Sequence, residues 1–99
     1  MAAYFIAQYV VRDPKLYREY QIAGGPTMQA HGGELVSFDV AAETIEGTPP
    51  GPVTVVVKFE STEAAKAWYR SPEYQEALPK RLGSTQGFAV ISQSMNFKG

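Results

Sequence analysis

Three side chains in this sequence carry chemistry suited to holding a proton or an anion beside a small organic molecule: His31, Glu46 and Arg81. His31 is the only histidine. An imidazole titrates near neutral pH and serves as a general base or as an axial haem ligand. Gly32-Gly33 follows it directly, marking a helix stop, where a histidine also serves the free carbonyls of a helix end. Glu46 precedes the segment Gly47-Thr48-Pro49-Pro50-Gly51-Pro52. A carboxylate there takes a proton from a small substrate, pairs with Arg81, or merely solvates a strand end. Arg81 has the planar fork that clamps a carboxylate through two parallel hydrogen bonds, which lysine does less well; near a helix end it is also a cap or a surface charge. His31 and Glu46 are thus candidate catalytic residues, and Arg81 a candidate ligand clamp.

Tyr17, Tyr20, Trp68, Tyr69 and Tyr74 form the second group. Aromatic rings with polar tips line ligand pockets between helices and a sheet, and they equally fill cores. Trp68 reads first as a core residue packed on strands. A cavity of about 300 Å³ or more with converging polar tips would mark a pocket, and a solid core would mark a structural module.

Other chemistries are excluded by what is missing. Without cysteine the chain has no disulfide, thiolate metal site or thiol nucleophile. No His/Asp/Glu cluster has metal-ligand spacing, so no metal is expected. Neither Gly-x-Gly-x-x-Gly nor Gly-x-x-x-x-Gly-Lys occurs, which leaves nucleotide phosphates without a cradle. The net charge of −1, with basic residues scattered from Arg12 to Lys98, argues against nucleic acid as a partner. No apolar run spans a bilayer and no signal peptide is evident, so no membrane partner and a cytoplasmic location are expected. What remains is acid/base chemistry on a small molecule, with no cofactor called for.

The elements that must position these residues are legible from their patterns. At 99 residues, 44% of them hydrophobic, the chain is expected to be one domain over 1–99 with a real core. Tyr4–Val11 reads as a strand covered on both faces. Asp13-Pro14 caps a helix that carries Leu16, Tyr17 and Tyr20 inward. Gly24-Gly25-Pro26 should break or kink that helix before it stops at His31. Residues 34–44 form the second strand, with Leu35, Ser37 and Asp39 alternating against Val36, Phe38 and Val40. After the Pro/Gly loop, Val53–Phe59 is the most strand-like run. Ser61 or Thr62 caps a second helix, Ser71-Pro72 restarts it, Pro79 leaves its far end open and Gly83 closes it. Phe88–Gln93 is the last strand.

The order β-α-β-β-α-β is the ferredoxin-like arrangement: an α+β fold with a four-stranded antiparallel sheet and helices on one face. Strands one and three are apolar on both sides, so the other sheet face needs a cover. A twofold copy of the same sheet is the simplest one, which makes a homodimer the expected assembly.

Several phrases, centred on Glu63–Gln75 (EAAKAWYRSPEYQ), resemble the domain-of-unknown-function 1330 family. The likeness covers nearly the whole chain. It runs through the opening strand Tyr4–Val11 with Asp13, Pro14, Tyr17 and Tyr20, then Gly32-Gly33, Glu46-Gly47, Trp68, Tyr69, Ser71 and Tyr74, and finally Pro79 and Arg81. The resemblance implies a dimeric α+β barrel, in which two ferredoxin-like sheets pack face to face. It implies no established activity. One departure stands out: Phe38-Asp39-Val40 occupies the place where the family often has Arg-Gly-Gly, so an anion site built on that arginine is altered or absent here. The wider superfamily includes cofactor-free monooxygenases, haem-degrading enzymes, muconolactone isomerase-like proteins and stress-response barrels, which is analogy at the level of fold. The expectation is a small-molecule-binding homodimer, with a cofactor-free isomerase or monooxygenase acting on a small aromatic or carboxylated metabolite as its enzymatic form. The alternative is a non-catalytic dimerisation or stress-response module.

Overall fold

The computed structural model describes residues 1–95, arranged as β1 (Ala3–Val11), α1 (Pro14–Ala30), β2 (Glu34–Asp39), β3 (Val53–Phe59), α2 (Thr62–Arg70), α3 (Pro72–Ser84) and β4 (Thr85–Gln93). The four strands form one antiparallel sheet in the order β2-β3-β1-β4, the ferredoxin-like α+β fold expected from the element order. Helical segments α2 and α3 together make the second crossover. The chain traces a slab 15 Å thick, one sheet and one helical layer deep.

Period-two patterning decides which side chains meet the helices. On β1, Ala3, Phe5, Ala7 and Tyr9 are buried beneath them, while Tyr4, Ile6, Gln8 and Val10 point to the other face and stay partly exposed. β3 departs from the expected reading. Its inner positions Val53, Val57 and Phe59 are buried, but its outer face carries Thr54, Val56 and Lys58 and is only partly apolar. The outer apolar strip runs instead from β1 onto Phe88 and Val90 of β4, which pair with Gln8 and Ile6. Gly87 faces Tyr9 across that same pairing, and a Cβ there would collide with the Gln8 carbonyl and with Tyr9 itself.

Capping follows the sequence closely. Asp13 accepts from the Leu16 amide at 3.1 Å, Ser61 from Ala64 at 3.0 Å and Ser71 from Tyr74 at 3.2 Å. Gly32, at φ +79°, turns the chain out of α1. Neither internal proline ends its helix: α1 runs unbroken through Pro26, and α3 runs on past Pro79 to close beside Gly83 as expected. Both prolines are exposed, as is Ile22, whose carbonyl has no helical N–H partner at Pro26. Thr27 adds a hydroxyl bond back to the Gly24 carbonyl at 2.6 Å.

The second strand also departs from simple alternation. It ends at Asp39, whose carboxylate accepts from the Ala41 amide at 2.8 Å and turns the chain. A bulge between Leu35 and Ser37 makes Val36 an extra residue, so Leu35 pairs with Val57 and Phe38 with Val55. Leu35 and Phe38 therefore share the helix side, where strict alternation would have put them on opposite faces.

Candidate functional site

Helix α1 packs mainly along α3 and stands off the β2–β3 half of the sheet. The gap beneath it is a cavity of about 230 Å³. Tyr17, Tyr20, Gln21, Gly24, Gly25 and Met28 line it from α1, Phe5 and Tyr9 from β1, Leu35 and Phe38 from β2, Val55 and Val57 from β3, and Trp68 from α2. The two adjacent glycines replace what would otherwise be side-chain volume in the helix face: a Cβ on Gly25 would meet nothing within 4 Å. The mouth lies along the β2 edge, where Leu35 and Phe38 remain 51% and 41% exposed. The volume falls below the roughly 300 Å³ that would mark a pocket, and the lining is predominantly apolar.

Polar tips converge at the tyrosines. The Tyr9 and Tyr17 hydroxyls meet at 2.8 Å, and those of Tyr20 and Tyr74 at 2.8 Å. Burial, above all, pushes the pKa values of Tyr9, Tyr17 and Tyr20 upward, and the hydrogen bond with Tyr17 and that with Tyr74 add to the shifts at Tyr9 and Tyr20. These hydroxyls stay protonated through neutral pH and act as donors rather than bases.

Behind this wall lies Arg81, only 5% exposed. Its guanidinium carbon is 6.0 Å from the ring centres of Phe5 and Tyr9 and 5.9 Å from that of Tyr20, within cation–π range of all three. Its Nε donates to the Tyr74 hydroxyl at 3.4 Å, a long bond. No carboxylate among the described residues pairs with it; the ion pair there is Lys80–Glu19 at 4.0 Å. Aromatic faces and a phenol oxygen thus take the place of an acidic partner.

The structure brings Tyr17, Tyr20 and Trp68 into the cavity wall and sets Tyr74 and Arg81 directly behind it. Tyr69 packs on Trp68 and Tyr74, with ring centres 6.2 and 5.5 Å away, but faces the opposite side, toward Ile91. His31 sits at the C-cap of α1, its Nδ1 2.9 Å from the Thr27 carbonyl, outside the cavity lining. Glu46 is exposed in the loop over 40–52 and does not pair with Arg81. Among the described residues no three His, Cys, Asp or Glu side chains are grouped to hold a metal ion, and no helix is long and apolar enough to cross a membrane.

Phe5 and Tyr9 were not among the expected site residues, although the odd-numbered alternation of β1 already directed them at the helices. Phe38 was hidden by the bulge. Gly24 and Gly25, with Pro26, are expected to break or kink the helix. Small residues at helical spacing next to Tyr20 were their signal.

With this geometry in view, the family model described as "Domain of unknown function (DUF1330)" matches residues 2–95. The chain belongs to the DUF1330 family. Comparison with curated proteins finds no match. Among solved structures, this DUF1330 chain is similar to a protein of unknown function from Rhodopseudomonas palustris (16% identity, covering 96% of this chain and 83% of that one, TM-score 0.78). It is also similar to SnoaB, described as a cofactor-independent oxygenase from Streptomyces nogalater (8% identity, 97% and 95% covered, TM-score 0.69). A third is a dimeric protein of unknown function and ferredoxin-like fold from Bacteroides fragilis (12% identity, 94% and 96% covered, TM-score 0.63). At these identities the likeness is one of fold.

Proposed function

We propose that this DUF1330 protein is a homodimer whose subunits each bind one small, flat, largely apolar molecule in the cavity beneath α1. The cavity carries the reading: five aromatic rings from β1, α1 and α2 (Phe5, Tyr9, Tyr17, Tyr20 and Trp68) border one space, and two hydroxyl pairs supply its polarity. Support for the dimer comes from the outer sheet face, where Tyr4, Ile6, Val10, Val56, Phe88 and Val90 make an apolar strip on the side away from the helices. The Bacteroides fragilis neighbour is described as dimeric, and this chain shares its fold.

The enzymatic form of this reading is a cofactor-free isomerisation or oxygenation of an aromatic or carboxylated metabolite, in a cysteine-free cytoplasmic protein. Similarity of fold to a cofactor-independent oxygenase lends it analogy. The chain's own contribution would be orientation, exclusion of water and donated hydrogen bonds. A second reading, a non-catalytic dimerisation module, is favoured by one observation: a cavity of about 230 Å³ is small.

Native mass spectrometry of gently purified protein at neutral pH tests both. A dimer carrying added mass of a small organic molecule supports the binding reading. A bare dimer that also binds none of a panel of one- and two-ring aromatic compounds leaves the module. A monomer removes the dimer from either reading.

A further inference from the structure

The four groups Arg81, Tyr74, Tyr20 and the cavity stand in series, and the proton order along them is determined. An arginine Nε–H only donates, so the Tyr74 oxygen accepts at that contact. Tyr74 is fully buried, and its own proton needs an acceptor. The Tyr20 oxygen, 2.8 Å away, is the acceptor in reach. The guanidinium charge favours the same order even across the long 3.4 Å contact, because it attracts the lone pairs of Tyr74 and turns its proton away. Tyr20 consequently receives a hydrogen bond, and its own proton has no protein acceptor among the described residues. Its ring borders the cavity.

The other hydroxyl pair lacks this bias. Either Tyr9 or Tyr17 can donate to the other at 2.8 Å, and no Arg81 hydrogen bond selects between the two orders. Its spare proton has no fixed seat, whereas that of Tyr20 does.

We infer that Tyr20 is the polar anchor of the cavity, donating a hydrogen bond to a carbonyl or similar acceptor oxygen on an otherwise apolar ring compound, with Tyr74 and Arg81 as positioning residues. The inference rests on the binding reading above and narrows its ligand class to acceptors. Burial keeps the Tyr20 phenol protonated, which suits a donor. A ligand offering only a donor group leaves the Tyr20 proton without an acceptor.

The test uses a matched pair of probes, 1-indanone and indane, which share a ring skeleton and differ by one carbonyl. Binding is followed through the fluorescence of Trp68, the only tryptophan, which lines the cavity. Tyr20→Phe should weaken 1-indanone about ten-fold and leave indane within about two-fold, since the carbonyl is desolvated without a partner. Arg81→Met keeps the bulk and releases the order of the Tyr74 proton, so it should weaken 1-indanone by a smaller factor and again spare indane. Thermal melting of each variant confirms that it folds. If indane binds but Tyr20→Phe changes both probes equally, or neither, the anchor is overturned and the cavity reading stands. The same holds if Tyr17→Phe produces the carbonyl-specific loss instead. If the wild-type protein binds neither probe, the cavity reading itself falls.

Discussion

Trp68 of α2 donates its indole N–H to the Thr27 hydroxyl of α1 at 3.1 Å, and that hydroxyl in turn donates to the Gly24 carbonyl at 2.6 Å. One side chain thereby ties the two crossovers together at the edge of the cavity. The same ring stacks on Phe59 (5.3 Å between centres) and meets Phe5 edge-on at 5.1 Å. Trp68→Ala should cost roughly 3–5 kcal/mol of stability, as expected for a buried aromatic. Thr27→Val removes only the hydroxyl and should cost about 1–3 kcal/mol, since it leaves the indole N–H unpaired. Urea denaturation of Trp68→Phe, Thr27→Val and the Trp68→Phe/Thr27→Val double mutant measures the coupling. Strict additivity in that cycle would show that the hydrogen bond contributes nothing.

The tyrosine cluster predicts an alkaline limit on the fold. Tyr9, Tyr17 and Tyr20 have raised pKa values in the native state, with burial as the largest cause. In the unfolded chain a phenol ionises near pH 10. Above that pH the unfolded state has released protons that the native state retains, so stability falls as pH rises. It is fully present below about pH 10. Each of the three contributes a loss of roughly 1 kcal/mol per pH unit once pH exceeds its unfolded value. Urea midpoints at pH 8, 10 and 11 should decline in that order above 10, and absorbance near 295 nm should show at least three tyrosines that ionise only on unfolding. Simple titration of all six tyrosines near pH 10 in the native protein would sink the prediction.

Local patterns in the sequence carried the element order, the caps and the topology because each depends on short-range chemistry. Asp13-Pro14, Ser61 and Ser71-Pro72 start their helices as expected, and Gly32 ends one. The misreadings came where tertiary context decides. Pro26 sits on an exposed face of α1, and the helix runs on without a break. The bulge at Val36 depends on pairing with β3, and it alone brings Phe38 to the cavity mouth. Arg81 was legible as an arginine near a helix end, but not as a buried cation, because the rings that enclose it come from β1 and α1. The candidate site was thus half visible: the tyrosines and tryptophan of its helices were, its strand residues, Tyr9 among them, and its glycines were not.

The outer strip of the sheet gives the dimer a direct test. Phe88 and Val90 are 47% and 48% exposed in a single chain and carry the apolar face from β1 onto the edge strand β4. A charge at either position would have to be buried in a face-to-face pairing, at a cost no neighbour offsets. Val90→Lys should therefore shift the protein from dimer to monomer in sedimentation velocity at micromolar concentration. It should leave the α1 cavity, on the other side of the sheet, able to bind indane. A Val90→Lys variant that remains dimeric would place the interface elsewhere, and a wild-type protein that sediments as a monomer would remove the dimer altogether.

The paired glycines of α1 separate the cavity's role from its contribution to the fold. A Cβ on Gly24 would lie 3.2 Å from the Tyr20 ring and force it to shift, but one on Gly25 would enter open space. Glycine inside a helix is less favourable than alanine by about 1 kcal/mol, so Gly25→Ala should stabilise the protein by roughly 0.5–1 kcal/mol. Gly25→Leu adds a branched side chain to the same space. It should keep most of that gain while displacing part of the cavity, and it should weaken indane binding at least ten-fold. Chemical denaturation and Trp68 fluorescence read the two effects separately. A stabilised Gly25→Leu protein that binds indane as before would show that ligands lodge somewhere other than beneath α1. A destabilised one would show that the space is needed by the helix itself, as a gap that lets Tyr20 and Tyr17 adopt their bonded positions.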